Sequence, residues 1–365
     1  MASRLQNEYQ PDLVSSPGET LLETLETISM SQAELARRMG RPVKTINEIV
    51  QGKAAITAET ALQLEQVLHI PASFWLRREQ QYRESLARLA EKQHLAGWVE
   101  WLKEIPVREI MRRGWMPSCS DKSQQVLEAL KFFSVASPEA WRAIWEDKVV
   151  VYRKSAALAS NFGAVTAWLR QGEKEAQAIE TAPYNAEAFQ EALKHICTLT
   201  EEPVSVFQQK LMQLCADAGV AVVFVQELPK TGICGATQWL TPKKALIQLS
   251  LRYKTDDQLW FTFFHEAGHI LRHGKRQIFL EIEQKDRKEA EDEADKFATD
   301  ILIEPARWKS FVEGSSCRSK TGIKQFAQTV GIAPGIVVGR LQHEQRLPFN
   351  YCNDLKRRLE WKTDK

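Results

Sequence analysis

The chain has 365 residues, more than one hydrophobic core usually organises, so two or three domains are expected. Hydrophobic residues make up 44% and charged residues 26%, an ordinary globular composition. A formal net charge of +2 excludes bulk electrostatics as a route to nucleic acid, so any DNA role has to come from local clustering.

Residues 1–17 are polar, contain two prolines and read as a flexible tail. They lack the apolar core of a signal peptide. From Glu19 to about Ala90 the pattern is helical with short breaks. Ser31-Gln32-Ala33-Glu34 is a capping box, in which the serine hydroxyl caps the helix and the glutamate is expected to reach back. The helix turns Leu35, Ala36 and Met39 inward and ends at Gly40, a residue suited to the left-handed turn. Pro42 is placed at the first position of the next helix, where its missing N–H costs nothing. That helix is expected to bury Val43, Ile46, Ile49 and Val50 and to close at Gly52. Ala36 supplies the small residue that two crossing helices need. The pair reads as a helix-turn-helix, with Pro42 to Gln51 as recognition helix. Arg37, Arg38, Arg41, Lys44 and Lys53 cluster on the two helices and their turns, the local charge that DNA binding requires. Lys44, Thr45 and Asn47 lie near the start of the recognition helix. Lys44 and Asn47 are assigned to bases; Arg37, Arg38, Arg41 and Lys53 are assigned to phosphates.

The run SQAELARRMGRPVKTINEIVQGKAAITAETALQLEQVLHIPASFWLRREQQY resembles the Cro/CI-type domains of HigA-like addiction-module antitoxins. The resemblance implies operator double-stranded DNA as a partner, a homodimer on a palindromic site, and a toxin as a possible further partner.

From 91 to about 200 the chain stays helical and is dense in tryptophan: Trp98, Trp101, Trp115, Trp141, Trp145 and Trp168. Such aromatic density predicts a packed helical connector whose tryptophans are core. Near Glu201 the character changes. A helix over Val204–Ala218 stops at Gly219, and three β runs follow, Val220–Val225, Gly235–Leu240 and Ala245–Ser250. Val220–Val225, the most apolar of them, is far below membrane-spanning length. A strongly apolar helix is predicted from Asp256 to about His273, and another from Lys288 to Ile303, stopped by Pro305. The last fifty residues read as a helical hairpin and a basic tail. Within them, Ile323 to His343 echoes the N-terminal motif: Ala327 and Gly331 stand at the relative spacing of Ala36 and Gly40. The second helix would begin Pro334-Gly335-Ile336-Val337-Val338-Gly339, almost without polar side chains, so a hairpin packed on the preceding domain is expected. Lys356-Arg357-Arg358 reads as a solvated face. The six cysteines lie far apart with no Cys-x-x-Cys, against a disulfide framework or thiolate metal site and in keeping with a reducing compartment. A cytoplasmic protein with no membrane partner is expected.

His265-Glu266-Ala267-Gly268-His269 is an H-E-x-x-H. On a helix both imidazoles share a face and can meet one ion. Two histidines and a glutamate are costly in so apolar a helix unless paired or metal-bound. Zinc needs a third protein ligand. His273 cannot supply it, since about eight residues at ~1.5 Å each separate it from His265 by roughly 12 Å along the axis. Glu289, Glu291, Asp292, Glu293 and Asp295 lie on the downstream helix, where Glu291 and Asp295 share a face and Glu293 points roughly the other way. His273, Tyr253 and Arg252 are candidates for a second acid–base or oxyanion role.

The segment FFHEAGHILRHGK…EAEDEADKFATDILIEP, with GVAVVFVQELP and GATQWL…ALIQLS upstream, resembles the ImmA/IrrE family of metallo-endopeptidases. The resemblance covers roughly Val204 to Pro305, with Glu304 before Pro305 departing from the family pattern. It implies Zn2+ held by His265, His269 and Glu291, Asp295 orienting a histidine from outside, and Glu266 as general base. It also implies cleavage of a partner protein, a repressor or antitoxin, that controls gene expression. The alternative is an antitoxin-like repressor whose second domain only binds a toxin or ligand. Substrate is expected as an extended strand beside Ala245–Ser250, taken as the exposed sheet edge. The fold class is therefore mainly α with a small α+β zincin-like domain. Its segments are a tail at 1–17, a five-helix helix-turn-helix domain at 18–90, a connector at 91–200, a metallopeptidase domain at 201–310 and a helical hairpin with basic tail at 311–365.

Overall fold

The structure is a computed structural model that describes residues 15–148, 161–273, 279–281 and 288–361. Most of the tail expected at 1–17 lies outside them. The chain divides into two compact units, Met1–Val99 and Glu100–Lys365.

Among the described residues, the first unit has five helices: α1 (Pro17–Thr27), α2 (Gln32–Met39), α3 (Val43–Val50), α4 (Ala58–Leu68) and α5 (Ala72–Gly97). Helix α1 starts earlier than expected because Ser16 caps it, accepting the Glu19 N–H at 3.1 Å, and Pro17 fills the first turn. Leu21, Leu25, Leu35, Ala36, Met39, Ile46, Ile49, Ile56, Leu64 and Trp75 form the core of this unit. Gly18 lies on α3 so closely that a Cβ there would come 2.5 Å from the Val50 carbonyl oxygen.

The second unit begins with α6 (Val107–Arg112), α7 (Lys122–Phe133), α8 (Pro138–Lys148), α9 (Phe162–Gln177) and α10 (Ala186–Thr198). Trp101, Trp141, Trp145 and Trp168 are buried, whereas Trp98 and Trp115 are half-buried. Trp101, Phe133 and Trp141 pack edge to face or tilted, a geometry that adds to the apolar area they bury. Trp168 donates its indole N–H to the Val225 carbonyl at 2.9 Å, and Gln248 donates to the Trp168 carbonyl at 2.7 Å. These bonds tie α9 to the sheet. Most of the expected connector, from residue 100 to 200, therefore shares one compact unit with the segments at 201–310 and 311–365.

Helix α11 (Val204–Asp217) leads into β1 (Val220–Phe224), followed by β2 (Gly235–Thr241), β3 (Lys244–Leu249), α12 (Asp256–Arg272), β4 (Phe279–Glu281) and α13 (Lys288–Leu302). The sheet order is β1-β3-β2-β4, with β1 parallel to β3 and the other pairs antiparallel. This corrects the expected substrate edge. β3 is bonded on both sides, Ile247 facing Val222 on one flank and Thr237 on the other, so Ala245–Ser250 offers no free backbone. Its mostly apolar sequence belongs to an interior strand, which is buried on both faces and carries no alternation to mark an edge.

Helix α12 lies at the centre of the unit with Trp260, Phe263, Phe264 and Ala267 fully buried. The chain closes with α14 (Pro305–Glu313), α15 (Lys320–Val330) and α16 (Pro334–His343). Helix α16 buries Ile336, Val337, Val338 and Leu341 and packs on α12, where a Cβ on Gly339 would come 2.6 Å from an Asp257 oxygen. The tail at 356–359 is also not the solvated face expected. Lys356 Nζ lies 2.7 Å from Asp257; the Arg357 backbone N–H donates to the Asp256 carboxylate and its carbonyl accepts the Asp256 N–H, each at 2.9 Å, while its guanidinium donates to the Glu201 and Glu202 carbonyls; and the Leu359 N–H bonds the Lys254 carbonyl. Asp257 draws the Lys356 ammonium inward and the Glu201 and Glu202 carbonyls take the Arg357 guanidinium; Arg358 stays exposed. Burial pushes the Asp256 carboxyl up to about 6.

No helix among the described residues is long and apolar enough to cross a membrane.

Candidate functional site

Two sets of side chains stand out, one in each unit. In the first, Ser31 caps α2 by accepting the Glu34 N–H at 3.1 Å. Gly40 ends the helix at φ +66°, and the Arg41 N–H returns to the Ala36 carbonyl at 2.9 Å. The turn is thus built as the residues predict, but two details differ. The Glu34 carboxylate is taken by Arg37 and Arg38 one turn on, the Arg38 contact being 2.7 Å. Pro42 is the N-cap of α3 and not its first helical residue.

On α3, Ile46 and Ile49 are buried, Val50 is half-buried and Val43 is exposed, contrary to its expected burial. Val43 is the first residue of the helix. Lys44 and Asn47 share the exposed side, Lys44 with 85% of its side chain accessible and 3.8 Å from Glu48, and Thr45 is half-buried beside them. Arg37, Arg38 and Lys53 are exposed. Arg41 is turned the other way, onto Gln63 and onto Glu59 at 3.2 Å on α4. That contact spans residues far apart in the chain and has no local sequence signal. Lys44 and Asn47 lie toward the start of α3, the end of such a pair that enters the major groove of DNA, with Arg37 and Arg38 on α2 and Lys53 just past the end of α3.

In the second unit, α12 carries His265, Glu266 and His269, all buried, with His273 one turn further. Helix α13 packs along it and brings Glu291, Glu293 and Asp295. His265 Nε2 lies 3.0 Å from Glu291 Oε2 and 3.0 Å from His269 Nε2, and His269 Nε2 lies 3.5 Å from Glu291 Oε2. Three donor atoms therefore face one point. A tetrahedral ion with ligand bonds near 2.0–2.1 Å holds its donors about 3.3 Å apart, so the donor set and its spacing fit zinc. His265 Nδ1 lies 2.8 Å from Asp295 Oδ1. Glu289 and Asp292 lie outside the cluster, and Glu293 instead meets His273 Nε2 at 3.2 Å. His273 Nδ1 lies 2.9 Å from His269 Nδ1, on the side away from the three donors.

Burial pulls the His269 imidazole down to about 4, so the ring is neutral near pH 7. Burial would raise Glu291, but hydrogen bonds from His265 and His269 hold its carboxyl at about 2. A deprotonated carboxylate and a neutral imidazole are the forms that bind a metal ion.

Glu266 packs against β2. A Cβ on Gly235 would come 2.8 Å from Glu266 Oε1, so only glycine leaves that strand open to the carboxylate. Thr237, two residues along, donates its hydroxyl to the Glu266 backbone carbonyl at 3.0 Å. Gly235 and Thr237 were not singled out from the sequence; a glycine at the head of a strand is the one signal that marked a close approach there. Tyr253 and Arg252 do not join the three donors: Arg252 bonds the Gly232 carbonyl and lies over the Tyr253 ring.

Residues 23–75 match a family model described as helix-turn-helix. Virulence-associated protein A of Dichelobacter nodosus is 35% identical over 86 residues, 23% of this chain and 80% of that protein. An uncharacterized HTH-type transcriptional regulator, YddM, of Escherichia coli (strain K12) is 36% identical over 60 residues, 16% of this chain and 64% of that protein. Among solved structures, an addiction module antidote protein of the HigA family from Coxiella burnetii is 29% identical over 23% of this chain and 92% of its own, with a TM-score of 0.22. The Pseudomonas aeruginosa antitoxin HigA, solved with the higBA promoter, is 30% identical over 22% and 90%, also with a TM-score of 0.22.

Proposed function

The chain belongs, through residues 23–75, to the helix-turn-helix family, and from that premise we propose that it is a DNA-binding regulator carrying a zinc-dependent endopeptidase of the ImmA/IrrE type. The observation that carries the second half is the convergence of His265 Nε2, His269 Nε2 and Glu291 Oε2 beside the buried Glu266. A zinc ion held by those three residues would supply Lewis acidity toward a peptide carbonyl and toward water. Glu266 accepts a proton from the attacking water and returns it to the departing amine. Asp295 holds His265 from behind with its lone pair turned inward. Gly235 keeps β2 clear of the Glu266 carboxylate. On this reading Lys44 and Asn47 meet base edges and Arg37, Arg38 and Lys53 meet phosphates, on a palindromic operator bound by a homodimer. The substrate is a repressor or antitoxin protein, and its removal derepresses the genes concerned.

The test is zinc content and proteolysis on one preparation. The protein is expected to hold about one zinc per chain, lost in Glu291→Ala and kept in Glu293→Ala. Glu266→Gln should keep zinc and lose cleavage by roughly 10²–10⁴-fold, measured by mass spectrometry of fragments from co-expressed neighbouring-gene products. Equal fragmentation by wild type and Glu266→Gln overturns the catalytic assignment. Zinc bound with no fragments under any inducing condition favours a unit that only binds a toxin or ligand. For DNA, residues 1–99 should bind the protein's own promoter with salt-sensitive affinity, and Lys44→Ala should relax base preference.

A further inference from the structure

The three donors account for His265, His269 and Glu291, and Asp295 accounts for the far side of His265. His273 and Glu293 have no place in that scheme, yet both stand in contact with it. With a metal at the three donors, hydrogen-bond direction along these contacts follows from valence. A neutral imidazole carries one N–H and one lone pair. With an ion at the three inward donors, His265 Nε2 turns its lone pair to the metal, so Nδ1 bears the proton and donates to the Asp295 carboxylate at 2.8 Å. For His269 the inward atom is again Nε2, 3.0 Å from His265 Nε2 and 3.5 Å from Glu291 Oε2. Its Nδ1 must then carry the proton, and at 2.9 Å it donates to His273 Nδ1. His273 is left with its proton on Nε2, which donates to Glu293 Oε2 at 3.2 Å.

We infer that His273 is a positioning residue for the metal centre, fixing the tautomer and ring plane of His269 and being itself fixed by Glu293. The inference rests on the zinc reading of this site and deepens it. Each metal-facing imidazole then has its own outer partner from the same two helices. Asp295 acts directly on His265, and Glu293 acts on His269 through the intervening ring of His273. His265 and His269 stand four residues apart on one face of α12, with His273 four further on at its C-cap, and Glu291 and Asp295 stand four apart on α13. The His273 N–H bonds the His269 carbonyl at 3.0 Å, which holds the ring at the helix end although its own backbone is extended.

The experiment uses the full chain. Zinc affinity is measured by chelator competition for wild type, His273→Asn and His273→Phe, with the melting of each metal-free protein as the control for folding. Phe keeps the bulk and loses the acceptor; the Asn Oδ1 stands where Nδ1 stood. Phe should weaken zinc about 10–100-fold, the range seen when an outer partner of a ligating histidine is removed, and Asn should restore most of it. The visible spectrum of the cobalt-substituted protein should shift with Phe and return with Asn. Phe binding zinc as wild type does, or Asn as weakly as Phe, overturns the inference while leaving the zinc site standing. If wild type binds no zinc, the reading beneath it fails. The tautomers are decided by ¹⁵N-histidine NMR of the zinc-loaded protein, where a proton on His273 Nδ1 overturns the assignment independently.

Discussion

The chain contains two helix–turn–helix hairpins of nearly the same local design, α2–α3 and α15–α16, put to opposite uses. In both, a serine caps the first helix from three residues back: Ser31 accepts the Glu34 N–H at 3.1 Å and Ser319 the Gly322 N–H at 3.0 Å. In both, a left-handed glycine ends it, Gly40 at φ +66° and Gly331 at φ +80°. The residue after that glycine donates back to the carbonyl of a buried alanine, Arg41 to Ala36 and Ile332 to Ala327. The second helices then diverge. α3 exposes Lys44 and Asn47, whereas α16 buries Ile336, Val337, Val338 and Leu341 on α12. Turn chemistry makes the hairpin; the side chains on the second helix decide whether it becomes a reading surface or part of a core.

Charge on the second helix breaks this symmetry most strongly. Val337→Asp should cost more than about 4 kcal/mol, because an unpaired carboxylate replaces a fully buried side chain. Lys44→Asp, on α3, should leave stability within about 0.5 kcal/mol and remove binding to DNA. Urea unfolding followed by circular dichroism, together with a filter-binding assay, separates the two. Equal destabilisation would end the contrast.

The next effect is one of pH and concerns only α16, which packs where Asp256 is buried. Burial raises that carboxyl to about 6, so the folded unit holds the proton more tightly than the unfolded chain does. Its contribution is complete below about pH 4 and is lost as the pH rises through 6, up to about 3 kcal/mol. Asp256→Asn should therefore gain stability relative to wild type between pH 4 and 7. A difference constant over that range would show that Asp256 is no more perturbed than a surface acid. Asp257, Lys356 and Arg357 face it and remain in both proteins.

Smaller and symmetric effects test the shared part. Ala36→Leu and Ala327→Leu overfill the two helix crossings and should each cost about 1–3 kcal/mol in their own unit. Gly40→Ala and Gly331→Ala meet no neighbouring atom, so only the left-handed backbone resists, at about 1 kcal/mol each. A glycine variant that cost nothing in one unit and more than ~2 kcal/mol in the other would mean that the two turns are not held alike.

Much of the site was legible in the residues. The placement of His265, Glu266 and His269 on one buried helix follows from their spacing and from the apolar run before them. Glu291 and Asp295 share a face at four-residue spacing, and the structure lays that face on His265. What could not be read is where partners come from far along the chain. Arg41 looks like a phosphate contact until α4 brings Glu59 beside it. Lys356 looks solvated until the start of α12 offers the buried Asp257, and Arg357 until the Glu201 and Glu202 carbonyls take its guanidinium. Glu293 looks turned away until the end of α12 places His273 against it.

By itself, the sequence determined the caps, the turns, the helix periods and the His265–His269 face, because each depends on groups three or four residues apart whose geometry the backbone hydrogen bonds set. Only the tertiary structure decided that β3 lies between β1 and β2, that α16 is buried, and that His273 sits behind His269. Strand order and helix packing close loops of tens of residues, and an apolar strand or a two-sided helix offers the same local pattern whichever neighbour finally covers it.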